Sequence, residues 1–322
     1  MALRRVTRDR ATFFELDSRI PPALAVQLGE SFIIESNDAA NGSISGPEGR
    51  LPGPTRTPPE LNPVGGPVFV EGVSRGDVLV VNVEHIAVGE WGFTCWGNNA
   101  GGVCGPATLW PELGSPYSHI VKHVPGSSGT LADGKAMLNE FQSDFRKVAW
   151  DLAPFVGTIA TAPDREVASS IAGQGPYGGN LDCRDIKVGT KVYLPVFHDG
   201  GLLFSGDVHA SQGDTEFYGW ADECSADVTY SCEVVRGKVI NNPRLEKPFS
   251  LVSVYSAKPL EEAARRAVLD LMDWMISDYE MSPKEAYIHV CCNPDFRVNI
   301  YQMVHMGALD FTVGAELPKK YL

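Results

Sequence analysis

Short runs of β-branched and apolar residues, each closed off by Gly, Pro or Asn, limit the folds open to this chain more than any other feature. Ser31-Phe32-Ile33-Ile34-Glu35-Ser36 and Val78-Leu79-Val80-Val81-Asn82-Val83 are two such runs. The turn pair Gly76-Asp77 leads into the second, and residues 41–67 between them are rich in turn formers. Residues 1–90 therefore read as β structure, and so do residues 187–238. The clearest helical periodicity lies toward the C-terminus. Leu260, Ala264, Ala267, Val268, Leu271, Trp274 and Met275 recur at threes and fours, with Glu261, Glu262, Arg265, Arg266, Asp270 and Asp273 on the other side. Ser282-Pro283-Lys284-Glu285 then carries the signature of a capping box, and the apolar stretch from Ala286 to Cys292 is expected to turn into a strand.

Two stretches stay open at this level. Residues 90–126 hold Trp91, Trp96 and Trp110 among many glycines, which suits either an aromatic-walled loop over a substrate pocket or a surface loop pinned by buried indoles. Residues 130–150, around Phe141, Phe145, Val148 and Trp150, suit either a short helix or a pair of strands. Asp38 lies just past an expected strand end and reads as a turn former.

Charge excludes some partners. With 40 acidic against 27 basic residues, a net charge of −13 and a pI near 5.0, the chain is a poor match for nucleic acid or an anionic membrane, whose phosphates are bound by Lys and Arg. A neutral or cationic small molecule fits better. The seven cysteines make no CxxC pair, so free thiols in a reducing cytoplasm are expected, and the pair Cys291-Cys292 reads as strand packing. The start, Met1-Ala2-Leu3-Arg4-Arg5 with Asp9 and Arg10 soon after, does not resemble a secretory leader. No apolar run approaches the roughly 20 residues of a membrane-spanning helix. At 322 residues the chain suits one large or two ordinary domains.

The chemistry is concentrated in Gly206-Asp207-Val208-His209-Ala210-Ser211-Gln212-Gly213-Asp214-Thr215-Glu216, directly after the apolar run Leu202-Leu203-Phe204. Along an extended strand, side chains two apart share a face, so Asp207 and His209 point the same way. Together they can offer an oxygen and a nitrogen to a divalent metal such as zinc. The plainer alternative has Asp207 capping a turn and His209 packing. Residues 212–215 read as a turn that could carry Glu216 back toward the same place. A second polar cluster follows paired glycines in Gly178-Gly179-Asn180-Leu181-Asp182. Asn180 and Asp182 share a face if the chain there is extended, and Asp182 could add a carboxylate oxygen. Glu216 and Glu223 lie an odd number of residues apart, so both reach one side only across a bulge or bend.

Three ordered motifs carry a resemblance. Asn62-Pro63-Val64-Gly65-Gly66-Pro67-Val68-Phe69-Val70-Glu71-Gly72 with Gly76-Asp77-Val78-Leu79, then residues 178–182, then residues 206–216 together resemble the acetamidase/formamidase family of amidohydrolases over most of the length. The resemblance implies a mainly β architecture, sandwich- or barrel-like, with a smaller α/β portion near the C-terminus. On that basis residues 1–250 form a β-rich catalytic region and residues 251–322 a helix-containing portion packed on it. The resemblance further implies a bound divalent metal, zinc rather than calcium, hydrolysis of a small amide to acid and ammonia or amine, and a homo-oligomer. Asp182, Asp207 and His209 are the expected metal ligands. Glu216 is the expected general base, with Glu223 as its substitute or a further ligand, while Asn180 and Gln212 are expected to hold the amide or its oxyanion.

Two departures are visible. Thr215 stands where the family often has a small residue, and Pro154-Phe155-Val156-Gly157 replaces a Pro-His-Pro-Gly sequence of many formamidase-like members, which points to a larger or cyclic amide. Two other readings compete with the metal-dependent amidase: a covalent mechanism through Cys183 with His209 as base, and a non-catalytic small-molecule binding protein on the same scaffold.

Overall fold

A computed structural model describes residues 2–44, 60–96, 109–114, 117–140 and 146–322. Two large open β-sheets dominate it. The first runs in the order Arg4–Val6, Phe32–Ser36, Ala226–Val235, Val78–Val88, Lys191–Pro195, Arg244–Glu246, Ser250–Ala257, Phe311–Pro318, Arg297–Gln302. The second centres on Leu203–His209. That strand pairs with Phe155–Ala160 on one side, and with Val64–Val70 and then Glu223–Cys224 on the other. Trp91–Trp96, Tyr117–Val124, Lys135–Met137 and Ala149–Asp151 extend this sheet in one direction, and Gly178–Asn180 with Gln174–Gly175 in the other.

The local pattern of the sequence explains the layering. In Phe32–Ser36 burial alternates strictly, so Phe32 and Ile34 enter the core while Glu35 stays on the outer face and receives Arg5 and the backbone N–H of Arg8. Leu203–His209 is buried at every position, as expected of a strand covered on both faces. The two sheets share one core. Phe32, Ile34, Leu79, Val81 and Val192 come from the first, and Val68, Val156, Ile159, Leu203 and Val208 from the second. Neither sheet closes on itself, so the mainly β class holds in the form of stacked sheets.

The helix over residues 259–278 forms as α1 (Leu260–Asp278), which buries Ala263, Ala267, Leu271, Trp274 and Met275 against Leu251, Val313, Ala315 and Leu317. One residue departs from the polar side assigned to it. Asp270 is buried, because the enclosed Arg244 reaches it from the sheet with Nε 2.9 Å from Oδ2 and Nη2 3.0 Å from Oδ1, and Ser253 Oγ donates at 2.6 Å. Strand Ser250–Ala257, at the expected boundary of the C-terminal portion, pairs with Arg244–Glu246 on one side and Phe311–Pro318 on the other.

The strand expected from Ala286 to Cys292 is not formed; the helix α2 (Pro283–Cys292) runs through it. Both halves of the capping box are made, with Ser282 Oγ accepting from the Glu285 N–H and Glu285 Oε2 from the Ser282 N–H. The cap starts a helix in which Ala286 is the buried residue, and among the described residues the segment joins neither sheet. Cys291 and Cys292 are therefore exposed on a helix surface, which corrects the strand-packing reading. Trp91–Trp96 and Tyr117–Val124 pair antiparallel, with Trp96 stacked on Tyr117 at 4.4 Å between ring centroids. Residues 97–108, the middle of the Trp- and Gly-rich stretch, lie outside the described residues, as do Phe141 and Phe145. Lys135–Met137 and Ala149–Asp151 realise the pair-of-strands alternative for 130–150. Asp38 accepts from the Gly42 N–H, as a turn former does. Among the described residues no helix is long and apolar enough to cross a membrane.

Candidate active site

Asp207 and His209 are delivered by the end of the central strand, but not by regular alternation alone. Asp207 has φ 57°, Asp182 φ 45° and Asn62 φ 63°, all in the left-handed region that side chains other than glycine seldom adopt. Asp and Asn tolerate it best, and three such residues meeting in one place mark a site where backbone strain is held by its surroundings. Leu181 and Asp182 both donate their N–H groups to the Gly157 carbonyl, at 3.0 and 3.1 Å, which anchors the second aspartate.

Gly157 is also where the two carboxylates crowd the backbone. A Cβ there would lie 2.6 Å from Asp207 Oδ2 and 2.9 Å from Asp182 Oδ1. Gly157→Ala is therefore expected to push the pair apart and to lower metal affinity by at least about 10-fold, the lower end of what disturbing the surroundings of ligands costs. Metal titration of the purified variant reads this directly, and unchanged affinity would show that the carboxylates are free to move.

One ligand atom each from Asp182, Asp207 and His209 lies within 4.8 Å of the others, and all three residues are buried. His209 Nε2 is 3.4 Å from Asp207 Oδ1 and 3.3 Å from Glu223 Oε2. Its other nitrogen is fixed by Gln212. The Gln212 Nε2 group donates to the carbonyls of Asp182 and Tyr301, at 3.2 and 3.4 Å, and carbonyls can only accept. Gln212 Oε1, 3.0 Å from His209 Nδ1, must then be the acceptor. Nδ1 therefore carries a proton, and Nε2, facing the Asp207 and Glu223 carboxylates, is the nitrogen whose lone pair a metal would take once its own proton leaves.

Asn62 holds Asp207 from behind, donating from Nδ2 to Asp207 Oδ2 at 3.0 Å and to Asn180 Oδ1 at 3.1 Å. Thr158 Oγ1 donates to the same Asn180 oxygen at 2.7 Å, and Asn180 Nδ2 donates to the Ile171 carbonyl. Among the described residues the buried Asp182 Oδ1 has no hydrogen-bond partner, and Glu223 Oε2 has only the His209 imidazole, 3.3 Å away. Unpaired buried carboxylate oxygens are costly unless a cation takes them. With Asp207 and the Nε2 of His209, Asp182 forms a set of oxygen and nitrogen donors of the kind a divalent metal takes, and the residues present fit such an ion.

The electrostatics agree. Asp182, Asp207, Glu216 and Glu223 are all buried, and among the described residues no lysine or arginine forms an ion pair with any of them. Burial, reinforced by the charges of Glu216 and Asp207, raises the Asp182 pKa well above the carboxylate range. Burial likewise raises Glu223 and lifts Glu216 to about 7. Burial alone would disfavour a charged His209, but Glu223 and Asp207 outweigh it and raise the imidazole pKa well above ordinary. Burial would raise Asp207 too, yet the facing His209, with hydrogen bonds from His209 and Asn62, holds it low. The cluster thus takes up protons to limit its own repulsion, the same imbalance that a dication removes.

All five acids and bases singled out in the sequence converge here: Asp182, Asp207, His209, Glu216 and Glu223. Glu223 reaches the site because its strand pairs His209 directly, Cα to Cα, while Glu216 arrives on a separate segment bridged to Gln302. Asn180 and Gln212 lie at the site with their amide groups engaged by protein atoms, as described. Asn62, Thr158 and Gly157 were not singled out. The Asn-Pro step at 62–63 was the available signal for the first, since Asn tolerates a left-handed backbone. Phe155 packs edge-on against the His209 ring at 4.9 Å between centroids, on the strand position paired with His209. Cys183 is fully buried, and burial pushes its thiol well above the ordinary range, opposite to what an activated nucleophile needs.

The fold and the cluster together define a class, a two-sheet β protein with a buried Asp–Asp–His group able to hold a metal ion. A family model, that of the acetamidase/formamidase family, matches residues 7–174 and 166–319, and the chain belongs to that family. It is similar to a formamidase of Methylophilus methylotrophus, 27% identical over 243 residues, covering 61% of this chain and 57% of the relative. An acetamidase of Mycolicibacterium smegmatis is 26% identical over 241 residues, covering 61% and 59%. The chain thus spans less than two thirds of either relative's own length. A solved acetamidase from Bacillus halodurans superposes with a TM-score of 0.83 at 28% identity over 98% of each chain.

Proposed function

We propose that the protein is a metal-dependent amidase that hydrolyses the C–N bond of a small amide to a carboxylic acid and ammonia or amine. The observation that carries this reading is the buried Asp182–Asp207–His209 group, whose ligand atoms lie within 4.8 Å of one another and in which Asp182 Oδ1 has no hydrogen-bond partner among the described residues. Asp182, Asp207 and His209 would hold the ion. The mixed nitrogen and oxygen set favours zinc, since calcium takes oxygen ligands alone. When bound, such an ion polarises a carbonyl and lowers the pKa of water from about 15.7 to about 7.

The rest of the reaction falls to the chain's own side chains. Glu216, held near a pKa of about 7, is matched to accept a proton from water as it adds to the carbonyl carbon and to return it to the nitrogen as the C–N bond breaks. Glu223 and Gln212 hold the two sides of the His209 ring. Asn62 holds Asp207, while Asn180 accepts from Asn62 and donates to the Ile171 carbonyl, so both amides are engaged by protein atoms. Their role, like that of Gln212, is positioning. Phe155 places an apolar edge on His209 where a polar ring would otherwise stand, which supports a larger or cyclic amide as substrate.

Ammonia release from a panel of small primary amides, and ring opening of lactams, test the proposal at low cost. Activity is expected to fall at least about 100-fold on treatment with a chelator and to return with zinc, while iodoacetamide leaves it intact. Full activity in a protein shown by elemental analysis to be metal-free would end the metal assignment. A cytoplasmic homo-oligomer remains part of the proposal. It is supported by the unpaired buried thiols of Cys95, Cys183, Cys224 and Cys232 and by exposed Tyr287, Ile288 and Val298. Cell fractionation and light scattering read these two points.

A further inference from the structure

With Asn180 and Gln212 committed to other groups, the site still needs a donor for the carbonyl oxygen of an amide. The segment that follows the last turn of the site supplies one. Thr215 Oγ1 donates to the Ile300 carbonyl at 2.6 Å, the Glu216 N–H to the Tyr301 carbonyl at 2.9 Å, and the Met303 N–H to the Glu216 carbonyl at 2.9 Å. These last two bonds are the signature of a parallel bridge between Glu216 and Gln302. Directly paired residues on neighbouring extended segments send their side chains to the same face. Gln302 therefore projects to the side on which Glu216 meets Asp182.

The Gln302 side chain is fully buried, and its Nε2 has no hydrogen-bond partner among the described residues. Its orientation is not free. The Val304 N–H donates to Gln302 Oε1 at 3.1 Å, and a backbone N–H cannot donate to an NH2 group, so Nε2 is the unengaged end of the amide. A buried donor left unpaired costs stability, and a fold that retains one on the segment paired with Glu216 is equipped to bind an acceptor there. An uncharged donor also suits this cluster, because a lysine or arginine at the same place would be captured by the four carboxyls.

We propose that Gln302 Nε2 is the hydrogen-bond donor to the substrate carbonyl oxygen and to the oxyanion that develops when water adds to it. This rests on the amide-hydrolysis reading above. In the step, the C=O π pair moves onto oxygen as the new C–O bond forms. Nε2 holds that oxygen until the pair returns and the C–N bond breaks, and no proton leaves Gln302.

Two variants test it. Gln302→Glu keeps the shape and the acceptor for the Val304 N–H while removing the donor, and Gln302→Met removes both without adding charge. Each is expected to lower kcat by about 10²- to 10³-fold, the usual cost of one oxyanion donor, with KM changed only severalfold. Gln302→Met should stay folded with the wild-type amount of bound metal and only a modestly lower midpoint, whereas Gln302→Glu, which adds a carboxyl to the cluster, should melt lower again; a merely structural role would instead lose metal and turnover together with the fold. If either variant turns over amide at the wild-type kcat, the assignment is overturned while amide hydrolysis stands. Loss of fold or of metal in both variants would also overturn it, by making Gln302 a support of the core. A wild-type protein that neither binds nor cleaves any amide of the panel would overturn both readings together.

Discussion

Asp207→Ala and His209→Ala proteins are each expected to purify with almost no bound metal and with no measurable amide hydrolysis. Changing a group that only supports a ligand typically costs about 10- to 100-fold in metal affinity, so removing one ligand of three should exceed that. The two variants should nonetheless differ when both are stripped of metal. Asp207→Ala removes the one acid of the four whose charge His209 and Asn62 favour, so its metal-free midpoint should fall, but modestly, because one of the mutually repelling acids goes with it. His209→Ala removes the one basic partner that Asp207 and Glu223 have among the described residues. Stranding buried carboxylates in this way costs on the order of 3 kcal/mol, so its metal-free midpoint should fall by several degrees. Elemental analysis and thermal melts in a chelator check both points. Stoichiometric metal in either variant would remove that residue from the ligand set.

What the sequence made legible follows the range of the interactions involved. Asp207 and His209 sit two apart at the end of one strand, and a local rule was enough to join them even though Asp207 leaves the extended region. Asp182 could be added because paired glycines precede it. By contrast Asn62 reaches Asp207 across 145 residues, and Gln302 meets Glu216 through a bridge between distant segments. No local periodicity encodes either contact. The odd spacing of Glu216 and Glu223 was a genuine constraint, and the fold answers it by placing them on separate segments rather than on one bulged strand. Asp270 shows the same limit. A charge within a helical pattern reads as solvated until a buried arginine from the sheet is seen to claim it. The segment Ala286–Cys292 was ambiguous because short apolar runs serve strands and helices alike. Its own N-terminal cap decided the outcome.

Glu216→Gln separates catalysis from metal binding. The substitution keeps the shape and the backbone bonds to Tyr301 and Met303, and Glu216 lies outside the proposed ligand group of Asp182, Asp207 and His209, so bound metal should stay near the wild-type level. Turnover should fall by about 10²- to 10⁴-fold, the usual contribution of a positioned proton carrier, because an amide cannot accept the proton from water. Stability in a chelator gives a second, independent reading. Burial raises the Glu216 pKa from 4.5 to about 7, so the folded metal-free wild type holds a proton there that the unfolded chain releases at lower pH. The stability this provides is present below pH 4.5 and is lost as pH rises through about 7. Gln cannot ionise and loses nothing over that window. The variant's melting midpoint should therefore pull ahead of the wild type's between pH 4.5 and 7 and hold a constant lead above it. A variant that keeps full turnover would take the proton-carrying role from Glu216 and leave Glu223 as the carboxylate to test next. A variant that loses its metal would instead place Glu216 among the ligands, and the division of labour among the four acids would have to be redrawn.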